Sequence, residues 1–452
     1  MRLRLSCLLA AASLLAGTAC GQQAPRNVIL LIPDGFGPAS ATMARDYLRY
    51  DEGRTALAFD SLQTGAARTH AADSRITDSA AGATAYSTGH KTNNGYVATD
   101  TLERPLATLL EAAERRGMAT GLVVTSRITH ATPASFAAHT PGRWRENEIA
   151  AEEITKDIDV ILGGGKRHFL PESEGGERTD GRNLMDEARE KGYAVVTERD
   201  AFDAVSATPM LGLFAMSHMD YEIDRDPDEQ PSLTAMTRKA LNLLEGDEDG
   251  FFLMAEGSRI DHAGHANDAA AHLRDALAFE DAVRASLAFA RRDGETLVVV
   301  VSDHGTGGMS LGRNVNNDAK YAWRPGVLAE VESSFGPMRE ALKTSSPDSV
   351  LREHAGITDL SNEERKRLAS AESWKATKAA LRDVIGRRAL VGWTSWGHTA
   401  VDVSLYAYGP GARRFRGNVE NTRVGRTFED LMGFDLDALT ERMRETRTAG
   451  SE

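Results

Sequence analysis

The chain has 452 residues, 41% hydrophobic and 26% charged, with a formal net charge of −13. That length can bury a large core, as one big α/β unit or as two domains. The acidic balance contains no basic block, which argues against a nucleic-acid binding surface, because counterion-releasing charge is gathered nowhere.

Arg2 and Arg4 precede an apolar run from Leu5 to Leu15, then small residues up to Cys20. This reads as a signal peptide over residues 1–20, too short to span a membrane. The protein is therefore expected to be exported, to the periplasm or the extracellular space. Two fates of Cys20 stay open. Ala16-Gly17-Thr18-Ala19-Cys20 is similar to a lipobox with Gly17 where leucine is usual, which would make Cys20 a lipid anchor. Ordinary cleavage after Ala19 or Ala24 would leave no anchor. Cys7 is lost either way, so the mature chain keeps at most one cysteine and no internal disulfide.

From about residue 25 to 445 the chain reads as one α/β domain. Apolar runs of strand length lie at Asn27–Ile32, Gly121–Thr125, Asp159–Leu162, Ala194–Thr197, Leu213–Met216, Phe251–Ala255, Leu297–Ser302 and Val401–Tyr408. Helical patterns lie between them at Ala107–Arg116, Asn183–Lys191, Leu233–Leu244 and Asp268–Arg291. Continuous apolar strands alternating with helices predict an α/β fold, a central mostly parallel sheet covered by helices on both faces. Residues 309–396 break the rhythm and read as a largely helical insertion, with helices at Asn362–Ala371 and Lys375–Arg388. Trp393 and Trp396 follow, either as a rim to a site or as core. From about Thr446 the chain is expected to fray.

Thr77-Asp78-Ser79-Ala80-Ala81-Gly82-Ala83-Thr84 sets a serine between an acid and very small residues that read as a helix. Ser79 then stands at a helix N-terminus, which favours an anion. Alone, the octapeptide is equally a capped helix packed closely on a neighbour. Its weight comes from metal-ligand residues elsewhere, most of them just past strand ends, where α/β sheets bind ligands. Asp34 sits in the turn Ile32-Pro33-Asp34-Gly35-Phe36-Gly37, and its two oxygens can bridge two metals. Asp261 and His265 are four apart, on one face if helical. With His398 as a third ligand they suit zinc and leave an open position. Asp303-His304 directly follows a buried strand. Glu256 with the hydroxyl of Thr132 makes a hard oxygen site that suits magnesium. Each feature has a plain reading as a cap, a turn residue or a solvated pair. Together they describe a hydroxyl nucleophile beside divalent metals.

These residues resemble alkaline phosphatase. The motifs are Pro33-Asp34-Gly35, Thr77-Asp78-Ser79-Ala80-Ala81, Ala131-Thr132-Pro133 with Arg143 downstream, Glu256-Gly257 with Asp261 and His265, Asp303-His304-Gly305 and Gly397-His398-Thr399. The resemblance implies metal-dependent hydrolysis of small phosphate monoesters through a phosphoserine at Ser79, and a homodimer. It implies two zinc ions per chain, one on Asp261, His265 and His398, the other on Asp34, Asp303 and His304. It implies one magnesium on Thr132 and Glu256, bridged by Asp34. Arg143 would grip the phosphate and Asp78 orient Arg143. Two positions depart from the best-known bacterial pattern. His130 stands where an aspartate supports the magnesium water, and His262 where a lysine contacts phosphate through water. A neutral imidazole favours zinc over magnesium, so the third metal is expected to be loosely held magnesium, replaceable by zinc. The plain alternative for both histidines is support without metal contact.

Overall fold

Runs such as Asn27–Ile32, Phe251–Glu256 and Thr296–Val301 are too apolar to leave either face in water, and all three are wholly buried. In the computed structural model, which describes residues 24–314 and 321–449, they form the centre of a ten-stranded sheet. The signal at 1–20 and Cys20 lie outside the described residues. Among the described residues no helix is long and apolar enough to cross a membrane.

The strands are β1 (Asn27–Ile32), β2 (Gln63–Arg68), β3 (Ala119–Arg127), β4 (Val160–Gly164), β5 (Ala194–Val196), β6 (Met210–Leu213), β7 (Phe251–Glu256), β8 (Thr296–Val301), β9 (Gly305–Thr306), β10 (Ser310–Leu311), β11 (Val391–Gly392), β12 (His398–Thr399), β13 (Val403–Tyr408) and β14 (Gly417–Glu420). The large sheet runs β14-β2-β13-β8-β1-β7-β3-β4-β6-β5. Only β13 is antiparallel to its neighbours, β8 and β2. Two small ribbons, β10 with β11 and β12 with β9, stand apart.

Side chains of β1 alternate between two cores. Ile29 and Leu31 face a cluster with Met43, Tyr47, Met236 and Phe279 from the helices Pro38–Asp51, Leu233–Leu244 and Ala269–Asp293. Val28, Leu30 and Ile32 face a cluster with Tyr86, Leu109 and Phe428 from Ser79–Thr88, Leu109–Arg115 and Asn421–Met432. Each fully buried aliphatic side chain contributes about 1.5–3 kcal/mol. The helices between Pro325 and Ala389 pack on the first of these faces, through Leu328, Phe335 and Leu381.

Two differences from the sequence reading have local causes, and a third lies at the C-terminal helix. The strand expected at Leu213–Met216 is Met210–Leu213. Leu213 makes the last pairing, with Gly163, and the carbonyls of Ala215 and Ser217 turn onto the Gly165 amide instead of extending the ladder. β2 and β14 carry too few apolar residues to be read as strands, and both are largely exposed or half-buried. The last helix, Leu436–Ala449, runs on past Thr446.

The register fixes the site. Ile32 pairs with Glu256, and Leu31 with Val300, so the carboxyl ends of β1, β7 and β8 are level on one rim. After β1 the chain crosses to β2 on one side of the sheet, and later to β3 on the other, making this rim a topological switch point.

Candidate metal centre

Asp34 follows β1 by two residues, Glu256 ends β7, and Asp303 and His304 follow β8. All four are fully buried. Asp261 and His265 share the helix Arg259–Ala266, one turn apart, as their spacing predicts. His398 opens β12, whose pairing with β9 sets it opposite Thr306. Thr132 lies on the helix Ala131–Ala137 beyond β3. Ser79 is the first residue of Ser79–Thr88, N-capped by Asp78, whose Oδ1 accepts from the Ala81 amide at 3.0 Å. That helix is buried along its whole length. Its small residues permit close approach: a Cβ on Gly82 would lie 3.0 Å from the Cβ of Asp303.

Two groups of ligand atoms result, each within 4.8 Å: Asp261, His265 and His398, and Asp34, Asp303 and His304. In the first, His265 Nε2 is 3.0 Å from His398 Nε2, and 3.4 Å from Asp261 Oδ2. In the second, His304 Nε2 is 3.2 Å from Asp303 Oδ2 and 3.5 Å from Asp34 Oδ1. The rings of His304 and His398 stack at 3.6 Å, so the groups adjoin. Ser79 Oγ lies 3.4 Å from His304 Nε2 and 3.5 Å from Asp34 Oδ2.

The outer nitrogens decide the tautomers. His265 Nδ1 donates to the Trp396 carbonyl at 2.6 Å, and His398 Nδ1 to the Thr77 carbonyl at 2.8 Å. Thr306 Oγ1 donates to Asp261 Oδ1 at 2.6 Å, so at 3.3 Å it accepts from His304 Nδ1. All three Nε2 atoms therefore present bare lone pairs to one another and to carboxylates. Only cations complete such a set, and carbonyl-oriented histidines are typical metal ligands.

The carboxylates give the same answer. Burial, then the charges of Asp303, Asp261 and Glu256, raise Asp34 well above the ordinary carboxylate range. Burial pushes Glu256 up to about 8 and Asp303 up to about 6. Burial also raises Asp261, but positive charge on its His265 and His398 side, where a metal ion would otherwise stand, outweighs it and the net shift is downward. Asp34 Oδ1, Asp303 Oδ2, both oxygens of Glu256 and Thr132 Oγ1 are buried with no hydrogen-bond partner. Buried anions without donors are costly unless metal ions neutralise them. Thr132 and Glu256, with Asp34, supply the oxygen-rich set expected for a third ion.

Arg143 reaches the same rim. Its Nη1 donates to Asp78 Oδ2 at 2.9 Å and its Nη2 to His130 Nε2 at 3.0 Å. His130 thus spends its lone pair on Arg143. His262 Nδ1 likewise accepts from Arg259 at 2.9 Å. Burial, then the neighbouring cations, hold His130 well below its usual pKa, and burial, His218 and Arg259 do the same to His262. A third imidazole, His218, packs 4.2 Å from His262 and 5.5 Å from His130 and bonds Arg127. His218, Arg259 and Thr306 escaped the sequence reading, since none sits in a recognisable spacing. Trp396 flanks His265 through its carbonyl, whereas Trp393 packs on the first core.

The comparisons with known proteins agree with this geometry. A sequence model of the alkaline phosphatase family matches residues 25–433. The chain is 39% identical to the repressible alkaline phosphatase of Saccharomyces cerevisiae, over 93% of this chain and 84% of that protein. Its fold matches the Thermus thermophilus alkaline phosphatase with a TM-score of 0.82 at 33% identity, covering 95% of this chain and 96% of that one. A histidine-to-aspartate variant of the enzyme from the Antarctic bacterium TAB5 is 28% identical with a TM-score of 0.67, covering 92% and 99%, and holds Mg.

Proposed function

This chain belongs to the alkaline phosphatase family and hydrolyses phosphate monoesters with divalent metal ions, and from that premise we propose that it does so through a phosphoryl group carried on Ser79. The observation that carries the reading is the convergence of three bare Nε2 atoms and buried carboxylates around Ser79 Oγ. Asp261, His265 and His398 hold one zinc, and Asp34, Asp303 and His304 another. Thr132, Glu256 and Asp34 hold the third ion. When bound, these ions supply Lewis-acid charge beside the attacking and leaving oxygens.

The chain's own groups do the rest. Ser79 Oγ forms a bond to phosphorus as the bond to the alcohol oxygen breaks, and the alcohol departs with a proton. Water then attacks the phosphoserine, frees orthophosphate and restores the hydroxyl. The transition state is loose, so positioning and charge carry most of the catalysis. Asp78 caps the helix that begins at Ser79 and also fixes Arg143, whose guanidinium would grip the non-bridging oxygens of the phosphoryl group.

At the third site the lone pair of His130 is tied to Arg143, leaving no carboxylate from that position. Magnesium is then held loosely and zinc can replace it. The TAB5 variant that holds Mg with aspartate in place of a histidine supports this preference. The reading also includes export by the signal at 1–20, with Cys20 either lipidated or left without an anchor by cleavage after Ala19 or Ala24, no nucleic-acid partner, and a homodimer. Intact mass and sedimentation of the secreted protein check anchor and oligomer.

The test of the central claim uses a phosphorus-labelled monoester. Label should appear on Ser79 during turnover. Ser79→Ala should abolish both the adduct and orthophosphate release while keeping metal content near normal. A Ser79→Ala protein that turns over at the normal rate would remove the nucleophile assignment.

A further inference from the structure

The helix Trp374–Ala389 lies against the outer edge of the first cluster. Lys378 Nζ donates to the His265 carbonyl at 3.3 Å, and His265 Nδ1 bonds the Trp396 carbonyl. Three cations stand on two indole rings there. Lys378 is 5.0 Å from the Trp396 centroid and 5.6 Å from that of Trp374, Arg382 is 4.7 Å from Trp396, and Arg339 is 5.4 Å from Trp374. Such stacking fixes a cationic head while leaving N–H groups free to bind.

The patch is under-neutralised. Arg382 reaches Asp383 at 3.2 Å, but that carboxylate also pairs with Arg313 and Arg367. No ion pair to Lys378 or Arg339 occurs among the described residues. The patch also borders the open side of the site. The His265 side chain is 39% exposed, whereas those of Asp34, Asp303 and His304 are wholly enclosed. In-line attack by Ser79, which sits by the enclosed cluster, sends the alcohol toward the His265 side.

We propose that Lys378 and Arg382, held on Trp396, form a subsite for a second anionic group on the leaving alcohol. Monoesters whose alcohol bears a carboxylate or a further phosphoryl group are then preferred substrates. The inference rests on the Ser79 and metal assignment above. A purely structural clamp between this helix and Trp396 would instead affect every monoester alike.

The test is steady-state kinetics with 3-phosphoglycerate and glycerol 3-phosphate, which differ by a carboxylate in place of a hydroxymethyl group. The wild-type ratio of kcat/KM should favour the carboxylate. Lys378→Met and Arg382→Met should each lower that ratio about tenfold, through KM, as expected for a charge-assisted contact. Lys378→Arg should keep it, and raising the ionic strength should lower it in the wild type. A wild-type ratio near one, or variants that depress both substrates equally, would overturn the subsite with phosphoryl transfer intact. Hydrolysis of neither substrate by metal-replete protein would overturn the reading beneath it.

Discussion

Thr306 Oγ1 touches one ligand from each cluster, Asp261 at 2.6 Å and His304 at 3.3 Å. Thr306→Val keeps the shape and removes both contacts. Metal affinity should fall about 10–100-fold, as for other outer partners of metal ligands, and Thr306→Ser should restore most of it. Competition against a chromophoric chelator measures this, and a valine variant with wild-type affinity would refute it. His130→Asp should act in the opposite sense at the third site. It offers an oxygen ligand where an imidazole now serves Arg143. Magnesium retained through gel filtration should rise, and excess zinc should inhibit less. The ligands were legible because acids and histidines just past apolar strands are conspicuous. Thr306, His218 and the carbonyls of Trp396 and Thr77 were not. A backbone oxygen carries no signature, and each meets its partner only through tertiary packing.

The helix Ser79–Thr88 crosses Asn421–Met432 at backbone distance. A Cβ on Gly425 would lie 2.6 Å from the Tyr86 carbonyl oxygen and 2.9 Å from that of Ala85. Backbone atoms cannot step aside as a flexible side chain would. Gly425→Ala should therefore cost about 1–3 kcal/mol, read as a lower urea midpoint. Gly246→Ala, where a Cβ meets nothing within 4 Å, is the control and should leave the midpoint in place. The sequence showed helices with a clear apolar stripe, and Leu233–Leu244 was read to the residue. It hid β2 and β14, because Gln63-Thr64-Gly65-Ala66-Ala67-Arg68 has almost nothing apolar to alternate. β2 finds its partners, β13 and β14, only more than 300 residues further along the chain.

Over the whole molecule, the buried carboxylates make stability depend on metal and pH together. An acid whose folded pKa is raised binds its proton more tightly folded than unfolded. It therefore loses stability as pH climbs from the unfolded value to the folded one. Asp303 rises to about 6 and Glu256 to about 8. Chelated protein should accordingly lose stability from about pH 4 to about pH 8. Metal-replete protein should not share this loss, because its carboxylates are ionised ligands and metal binding strengthens with pH. His139, held at about 8 by Glu111 and Glu152 against the cost of burial, contributes stability below about pH 6.5 that fades as pH passes 8. That contribution is common to both forms, so their difference isolates the metal centre. Melting curves with and without chelator should diverge as pH rises, and parallel curves would contradict the account.

The central position of β1 has a further consequence for biosynthesis. Its described partners are β7 and β8, which begin at Phe251 and Thr296. The first greasy hexapeptide of the domain must therefore wait, unmatched, while more than two hundred residues leave the ribosome. Contacts that remote in sequence form late. A nascent chain of this kind stays unfolded long enough to be kept by a chaperone, and it cannot trap ions at Asp34 until translation is well advanced.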